Sequence, residues 1–478
     1  MDPSEFRLHG HRLVDWIAEY FEHPERYPVL SRVKPGDVRR ALPQSAPEQG
    51  EPFDRIFADF ERVIMPGVTH WNHPGFFAYF PANTCEPAVL GELVAAALNQ
   101  QAMLWRTSPA ATELEEVALG WLRDLMGLPR AFEGVIYDTA SVSTLHALAA
   151  ARERAVPGVR ERGMAGRFDL PPLRLYCSEH AHSSVDKATM LLGLGHRALR
   201  KIPGDAEFRL RPDALGDAIS ADRAAGLLPI AVVATIGTTS STSIDPVPAL
   251  AQICREENLW LHVDAAYAGV AAIVPEKRAI LAGCDRADSF VVNPHKWLFT
   301  PVDLSAFYTP HMDILRRAFA LTPDYLTTAD AGAARNLMDT GIQLGRRFRA
   351  LKLWMILSHY GSAGLRERLS AHMALAQRFA GWVDDHPDFE RVAPVPLSVV
   401  CFRARPRGGV WSDDSLDTLN ERLIDAVNAD GDVFLSHTKL DGRFTLRIAI
   451  GHPRTEERHV ARAWDLLTDR LARLVPQV

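Results

Sequence analysis

Five short apolar runs, Gly134-Val135-Ile136-Tyr137, Leu173-Arg174-Leu175-Tyr176, Ile230-Ala231-Val232-Val233-Ala234, Trp260-Leu261-His262-Val263 and Ser289-Phe290-Val291-Val292, alternate with helical patterns from about Cys85 onward. Each is rich in β-branched or aromatic residues and is followed by polar or small ones, the pattern of strands buried on both faces of a largely parallel sheet. An α/β layer is therefore expected, with ligands bound beyond the carboxyl ends of the strands. At 478 residues, 47% hydrophobic and 23% charged, the chain exceeds one compact core and has apolar material for two or three domains.

The flanks read differently. Asp2-Pro3-Ser4-Glu5 has the form of a helix start, and Leu13, Ile17 and Tyr20 then fall on one helical face. A proline-dotted stretch from Pro24 to Pro52 and a helical run from Phe53 to Met65 complete an arm, taken as residues 1–84. A large domain is placed at 85–353 and a small α+β domain at 354–478, where Phe444 to Ile450 alternates with period two. Between Thr309 and Gln343 there is little periodicity, which marks a functional or disordered connection.

A net charge of -6 gives no general attraction to nucleic acid or anionic lipid, so neither is expected as a partner. The basic run Gly345-Arg346-Arg347-Phe348-Arg349-Ala350-Leu351-Lys352 reads as one solvated or anion-facing helix surface. Five cysteines, odd in number and never in a Cys-x-x-Cys pair, argue against a disulfide framework or a cysteine zinc site and suit a reducing cytoplasm. The N-terminal stretch is a folded helix in pattern, not a signal peptide, and no uncharged apolar run reaches the ~18 residues of a membrane span.

Four strand ends carry polar residues. After 134–137, Asp138-Thr139-Ala140-Ser141 brings hydroxyls and backbone N–H groups to the start of a helix expected over Ser143–Ala155, which suits a phosphate group or an ordinary helix cap. Asp264 closes the strand at 260–263 and needs a partner there, either a cap or salt bridge or a cationic heterocycle. Lys296 in Asn293-Pro294-His295-Lys296-Trp297 is either a surface-turn lysine or a desolvated nucleophile able to form a Schiff base. His180-Ala181-His182 suits a ring-stacking residue as well as a metal ligand, and lacks the Glu or Cys companions of common zinc motifs; no metal is expected.

Taken together, these residues and several longer motifs resemble the group II pyridoxal-phosphate-dependent amino-acid decarboxylases, in the aromatic-L-amino-acid decarboxylase branch. The similarity covers nearly the whole chain. It runs through Ile64 to Trp71, Phe76 to Pro81, Ser108 to Glu115, His262 to Gly269, Asn293 to Trp297 and Leu344 to Lys352. The resemblance implies the fold type I of PLP-dependent transferases: a mostly parallel central sheet with helices on both faces, an N-terminal helical arm and a small α+β C-terminal domain. It also implies a homodimer with active sites at its interface.

By the same resemblance Lys296 is the Schiff-base lysine, Asp264 the partner of the ring nitrogen and His182 the residue stacked on the ring. Ala140, Ser141, Asn293 and His295 fall around the phosphate and the Schiff base, and Thr239 and Ala266 line the ring. Tyr325 matches a loop tyrosine that returns a proton to Cα after CO2 leaves. Trp71, Tyr79, Phe80, Ala82, Gln101, Met103 and Gly345 match substrate-pocket positions. Relatives that make aldehydes replace the loop tyrosine or the stacking histidine; this chain keeps both, so an amine product is expected. Ala82 stands where a threonine meets catechols in animal enzymes, and Gln101 and Met103 replace apolar and aromatic pocket residues. Tryptophan, phenylalanine and tyrosine are therefore placed ahead of DOPA and 5-hydroxytryptophan. An aldehyde synthase is the nearest alternative. A decarboxylase of acidic amino acids would need a pocket cation, for which Arg106 is the candidate.

Overall fold

The computed structural model describes residues 1–321, 335–408 and 410–475. The chain forms two compact units, one of residues 82–382 and 391–401, the other of 1–81, 383–390 and 402–478.

The first unit is built on a seven-stranded sheet. Its strands are β1 (Glu133–Tyr137), β2 (Leu173–Ser178), β3 (Leu199–Ile202), β4 (Leu228–Thr235), β5 (Trp260–Asp264), β6 (Ser289–Val292) and β7 (Ser305–Thr309). Their order is β1-β7-β6-β5-β4-β2-β3. Only β7 is antiparallel to its neighbours, β1 and β6, so the other six strands all point the same way. All five expected strands are present.

Side-chain alternation along the strands serves two helical layers. Leu175, Cys177, Ala231 and Val233 pack on one face in a core shared with the helices Ala140–Ala155 and Ser184–Leu191. Tyr176, turned to the other face, donates its hydroxyl to Asp222 of the helix Pro212–Ala224 at 2.9 Å. Burial on both faces is why these strands are continuously apolar.

Two strands lack that signature. β3, Leu-Arg-Lys-Ile, is an edge strand with Arg200 and Lys201 not fully buried, and β7 begins with Ser305 and Ala306. The stretch after Thr309 also holds more structure than its pattern suggests, since Met312–Phe319 is helical.

The basic run at 345–352 is not a solvated helix surface. The helix begins only at Ala350, and Arg346, Arg349 and Lys352 are buried at 5%, 8% and 1% exposure. Each has an acidic partner: Arg346 bonds Glu115 at 2.7 Å, Arg349 bonds Asp303 at 2.8 Å, and Lys352 bonds Glu92. Partners far away in sequence decide the burial of these cations, so the run alone could not reveal it.

In the second unit, the helix Pro3–Glu22 carries the expected capping box, Asp2 accepting from Ser4 and Glu5 N–H groups while Glu5 accepts from Asp2 N–H. The N-terminal chain packs on the C-terminal segment: Phe77 N–H donates to Phe434 at 2.9 Å, and Val29, Phe76 and Ala78 form a small core with Phe434. A second sheet has the order β10-β11-β9-β8, with β8 Phe389–Arg391, β9 Val399–Ala404, β10 Ser436–Leu440 and β11 Arg443–Ala449. β11 is the half-buried strand expected near Phe444.

Glu115 accepts the N–H of Ile136 in β1 at 2.8 Å as well as Arg346. Glu115→Leu leaves a buried guanidinium unpaired and is expected to destabilise the fold by about 3–5 kcal/mol, measured as a lowered midpoint in urea denaturation.

Candidate active site

Because β1, β2, β4, β5 and β6 point the same way, their carboxyl ends lie along one edge of the sheet. Two chain segments meet there directly. Asn293, just past β6, donates its backbone N–H to Ala266, just past β5, at 2.9 Å. Ala266, Val291 and Ala140 form a small buried cluster, which brings in the helix after β1.

That helix runs from Ala140 to Ala155, starting three residues earlier than the sequence suggests. Thr139 is its N-cap, yet no side chain caps the end. The N–H groups of Val142 and Ser143 both return to the Thr139 carbonyl. The N–H groups of Ala140 and Ser141 have no recorded acceptor among the described residues, and the helix dipole adds its positive end at the same place. Such an end is suited to a phosphate.

Lys296 lies in the short helical turn Pro294–Trp297 and is half-buried. Desolvation pushes its amine below the usual lysine value, although the nearby Asp264 carboxylate pulls the other way. The net direction favours the neutral, nucleophilic form. Asp264 is buried at 6% exposure and accepts the Ala266 N–H at 3.0 Å. His182 is on the accessible side. Partial desolvation lowers its pKa, with Lys296 acting in the same direction and Asp264 opposing. These three side chains are therefore within electrostatic reach of one another.

The tautomer of His182 follows from its contacts. Ser184 N–H donates to Nδ1 at 3.1 Å, so a neutral ring carries its proton on Nε2. Among the described residues no group of three or more His, Cys, Asp or Glu side chains is gathered to hold a metal ion.

His295 and Asn293 settle a donor. Burial pushes the His295 pKa down to about 3, so the ring is neutral. Its Nδ1 accepts the Leu304 N–H at 2.9 Å, which puts the ring proton on Nε2. The Asn293 side-chain amide lies 3.2 Å from Nε2, and must present its oxygen to that proton. The other end of the amide is buried and has no hydrogen-bond partner among the described residues. In this orientation that end is an NH2, a buried donor available to a ligand.

Two sets of contacts hold this edge in place. Trp297 stacks on Tyr267, ring centroids 5.0 Å apart, and donates Nε1–H to His372 Nδ1 at 3.0 Å. Asp138, at the turn between β1 and the helix Ala140–Ala155, accepts from Arg349 and from Gln343 Nε2, and Arg349 also bonds Asp303. The sequence showed Asp138 only as part of a phosphate-binding turn or helix cap and Arg349 only as one of a basic run; their pairing, and the parts of Gln343 and Asp303, join segments far apart along the chain and carry no motif.

The remaining expected site residues are distributed as follows. Thr239 lies in the exposed turn after β4, and Ala82 is half-buried. Gln101 and Gly345 are adjacent: Gln101 Oε1 accepts the Arg346 N–H at 2.6 Å, and a Cβ on Gly345 would lie 3.1 Å from Gln101 Nε2. Met103 packs against Leu104 and Met338. In the other unit Trp71 stacks on Phe76 and Tyr79 at 4.4 and 5.8 Å, and Arg447 lies over the Phe80 ring at 5.5 Å. Tyr325 lies outside the described residues.

The residues present fit pyridoxal phosphate: N–H donors for a phosphate at one end, an amine that desolvation favours as neutral, and a buried carboxylate for a pyridine nitrogen. Comparison with known proteins agrees. Residues 35–405 match the pyridoxal-dependent decarboxylase conserved domain. Tryptophan decarboxylase 2 of Oryza sativa is 41% identical, over 99% of this chain and 96% of the relative, and phenylacetaldehyde synthase of Arabidopsis thaliana is 41% identical, over 99% and 97%. The crystal structure of Oryza sativa TDC with PLP and tryptamine superposes with a TM-score of 0.95 at 38% identity, covering 100% of this chain and 99% of that one.

The lowered Lys296 pKa has a consequence for stability in protein stripped of cofactor. Between that depressed value and the ordinary 10.5, the unfolded chain holds a proton that the folded chain lacks, so stability rises with pH across this window. Lys296→Met is expected to flatten that part of the profile, checked by urea denaturation as a function of pH.

Proposed function

Because the chain belongs to the pyridoxal-dependent decarboxylase family, we propose that it decarboxylates an aromatic L-amino acid, releasing CO2 and the corresponding amine. It is a PLP-dependent carboxy-lyase of the aromatic branch. The observation that carries the reading is the convergence at one sheet edge of Lys296, Asp264, His182 and the Ala140–Ser141 helix end. Bound PLP supplies an electron sink for the bond between Cα and the carboxylate.

The chain's own residues would do the rest. Lys296, favoured as the neutral amine, would hold the cofactor through its aldehyde carbon. Asp264 would keep a proton at the pyridine nitrogen and His182 would lie against the ring. The Ala140 and Ser141 N–H groups and the Asn293 amide would hold the phosphate, with His295 orienting Asn293. Thr239 and Ala266 would line the ring, and Tyr325 would return a proton to Cα.

Tryptophan, phenylalanine and tyrosine are the substrates proposed, because Trp71, Tyr79, Phe80, Ala82, Gln101, Met103 and Gly345 match substrate-pocket positions of the family. Relatives named for tryptophan and tyrosine decarboxylation support this range. An aldehyde product is the second reading, favoured by the 41% identity to a phenylacetaldehyde synthase; retention of Tyr325 and His182 favours the amine.

We also propose a homodimer in the cytoplasm. The helix Glu86–Leu98 exposes Leu90, Leu93, Val94 and Leu98, an apolar face that a second subunit would cover. Five buried cysteines without disulfides suit a reducing compartment.

Mass-spectrometric product analysis with aromatic and acidic amino acids tests the activity: amine from at least one aromatic substrate is expected, and turnover of acidic substrates alone would overturn the reading. Tyr325→Phe is expected to divert product from amine to aldehyde, with peroxide and ammonia released in step; an unchanged amine yield without peroxide would refute its role.

A further inference from the structure

An aspartate two residues before the first helical position ordinarily turns back and accepts an N–H group there, closing the helix end on itself. Asp138 stands in that place, ahead of the N-cap Thr139 and the helix Ala140–Ala155. Among the described residues, however, no side chain caps this end. Both oxygens of Asp138 are drawn elsewhere: Oδ2 accepts from Gln343 Nε2, and Oδ1 accepts from Arg349 Nη2. The Ala140 and Ser141 N–H groups are thereby left for a ligand.

Arg349 is itself held by a second carboxylate. Its Nε and Nη2 bond the two oxygens of Asp303 at 2.8 and 3.3 Å, and the second hydrogen on Nη2 serves Asp138. Burial opposes ionisation of Asp303, yet the bonds and charge of Arg349 outweigh it, with Lys352 and Arg347 adding, so the carboxyl is held below its usual range. The buried guanidinium is therefore fixed in the plane that Asp303 sets. A lone Asp138 carboxylate would be attracted to the positive end of the helix dipole, and would repel a phosphate bound there. Arg349 counters both effects, since it turns the carboxylate away from the helix end and matches its charge.

We propose that Arg349 is a positioning residue for cofactor binding: it draws the Asp138 carboxylate off the start of the helix Ala140–Ala155 and so keeps the Ala140 and Ser141 N–H groups open for the PLP phosphate. The inference rests on the reading of that helix end as the phosphate seat. Without Arg349, the cofactor-free protein divides between a seat closed by Asp138 and an open one. PLP binds only the open fraction, so its apparent affinity falls in proportion.

The test titrates cofactor-free full-length protein with PLP and with pyridoxal, which lacks the phosphate, following the visible band of the lysine-bound cofactor. Wild-type protein is expected to hold PLP far more tightly than pyridoxal. Arg349→Met should weaken PLP about tenfold, the factor by which a capping side chain stabilises a helix end, with pyridoxal within about twofold. Adding Asp138→Ala to Arg349→Met removes the competing carboxylate and should bring PLP affinity back to within about twofold of wild type. A packing defect would weaken both cofactors alike and would gain nothing from a second truncation. Unchanged PLP affinity, equal loss of PLP and pyridoxal, or a loss that Asp138→Ala leaves in place would therefore overturn the role of Arg349 alone. Where Arg349→Met does not fold, Arg349→Gln, which retains a donor for Asp303, takes its place and is judged by the same outcomes. Wild-type protein that holds PLP and pyridoxal alike would overturn the reading of the phosphate seat and this inference with it.

Discussion

Lys296 is subject to two opposing effects, and the rest of the site depends on which one wins. Removal from water disfavours its ammonium form, while the Asp264 carboxylate favours it; desolvation is the larger. The same carboxylate and the same lysine also act on His182 in opposite directions. A carboxylate buried at the end of β5 is costly unless a cation or hydrogen bonds meet it. The Ala266 N–H meets one oxygen, and the protonated pyridine of PLP, bound as proposed, would meet the remaining demand.

The sheet makes this balance possible through direction alone. Six strands share one direction, so residues separated by more than a hundred positions, such as Ala140 and Ala266, reach one cluster. The bonds that then fix the edge are mostly charge-assisted: Arg349 between Asp138 and Asp303, Arg346 on Glu115 and Lys352 on Glu92. Buried pairs of this kind add little net stability, but losing one partner is expensive, so they specify a single arrangement of the strand ends.

The legible part of the fold was the part buried on both faces. β1, β2, β4, β5 and β6 announce themselves because their alternate side chains both meet helices. β3 carries Arg and Lys on an edge, and β7 begins with small residues, so neither stands out by local composition. Site residues followed the same rule. Asp264 and Lys296 are conspicuous as polar residues closing apolar strands, whereas Asp138 looks like part of a cap. Its bonds depend on Arg349 and Gln343, which arrive from far along the chain.

By itself the sequence determined the α/β class, the alternation of buried strands with helices, and the residue types that a PLP site needs, because periodicity and a charged residue at the end of an apolar run are local properties. The tertiary structure decided which cations turn inward, which end of the Asn293 amide meets His295, and which distant partners hold Asp138. Those outcomes are set by burial and by hydrogen bonds between distant segments. Desolvation depends on what surrounds a group in space, and spacing along the chain does not record that.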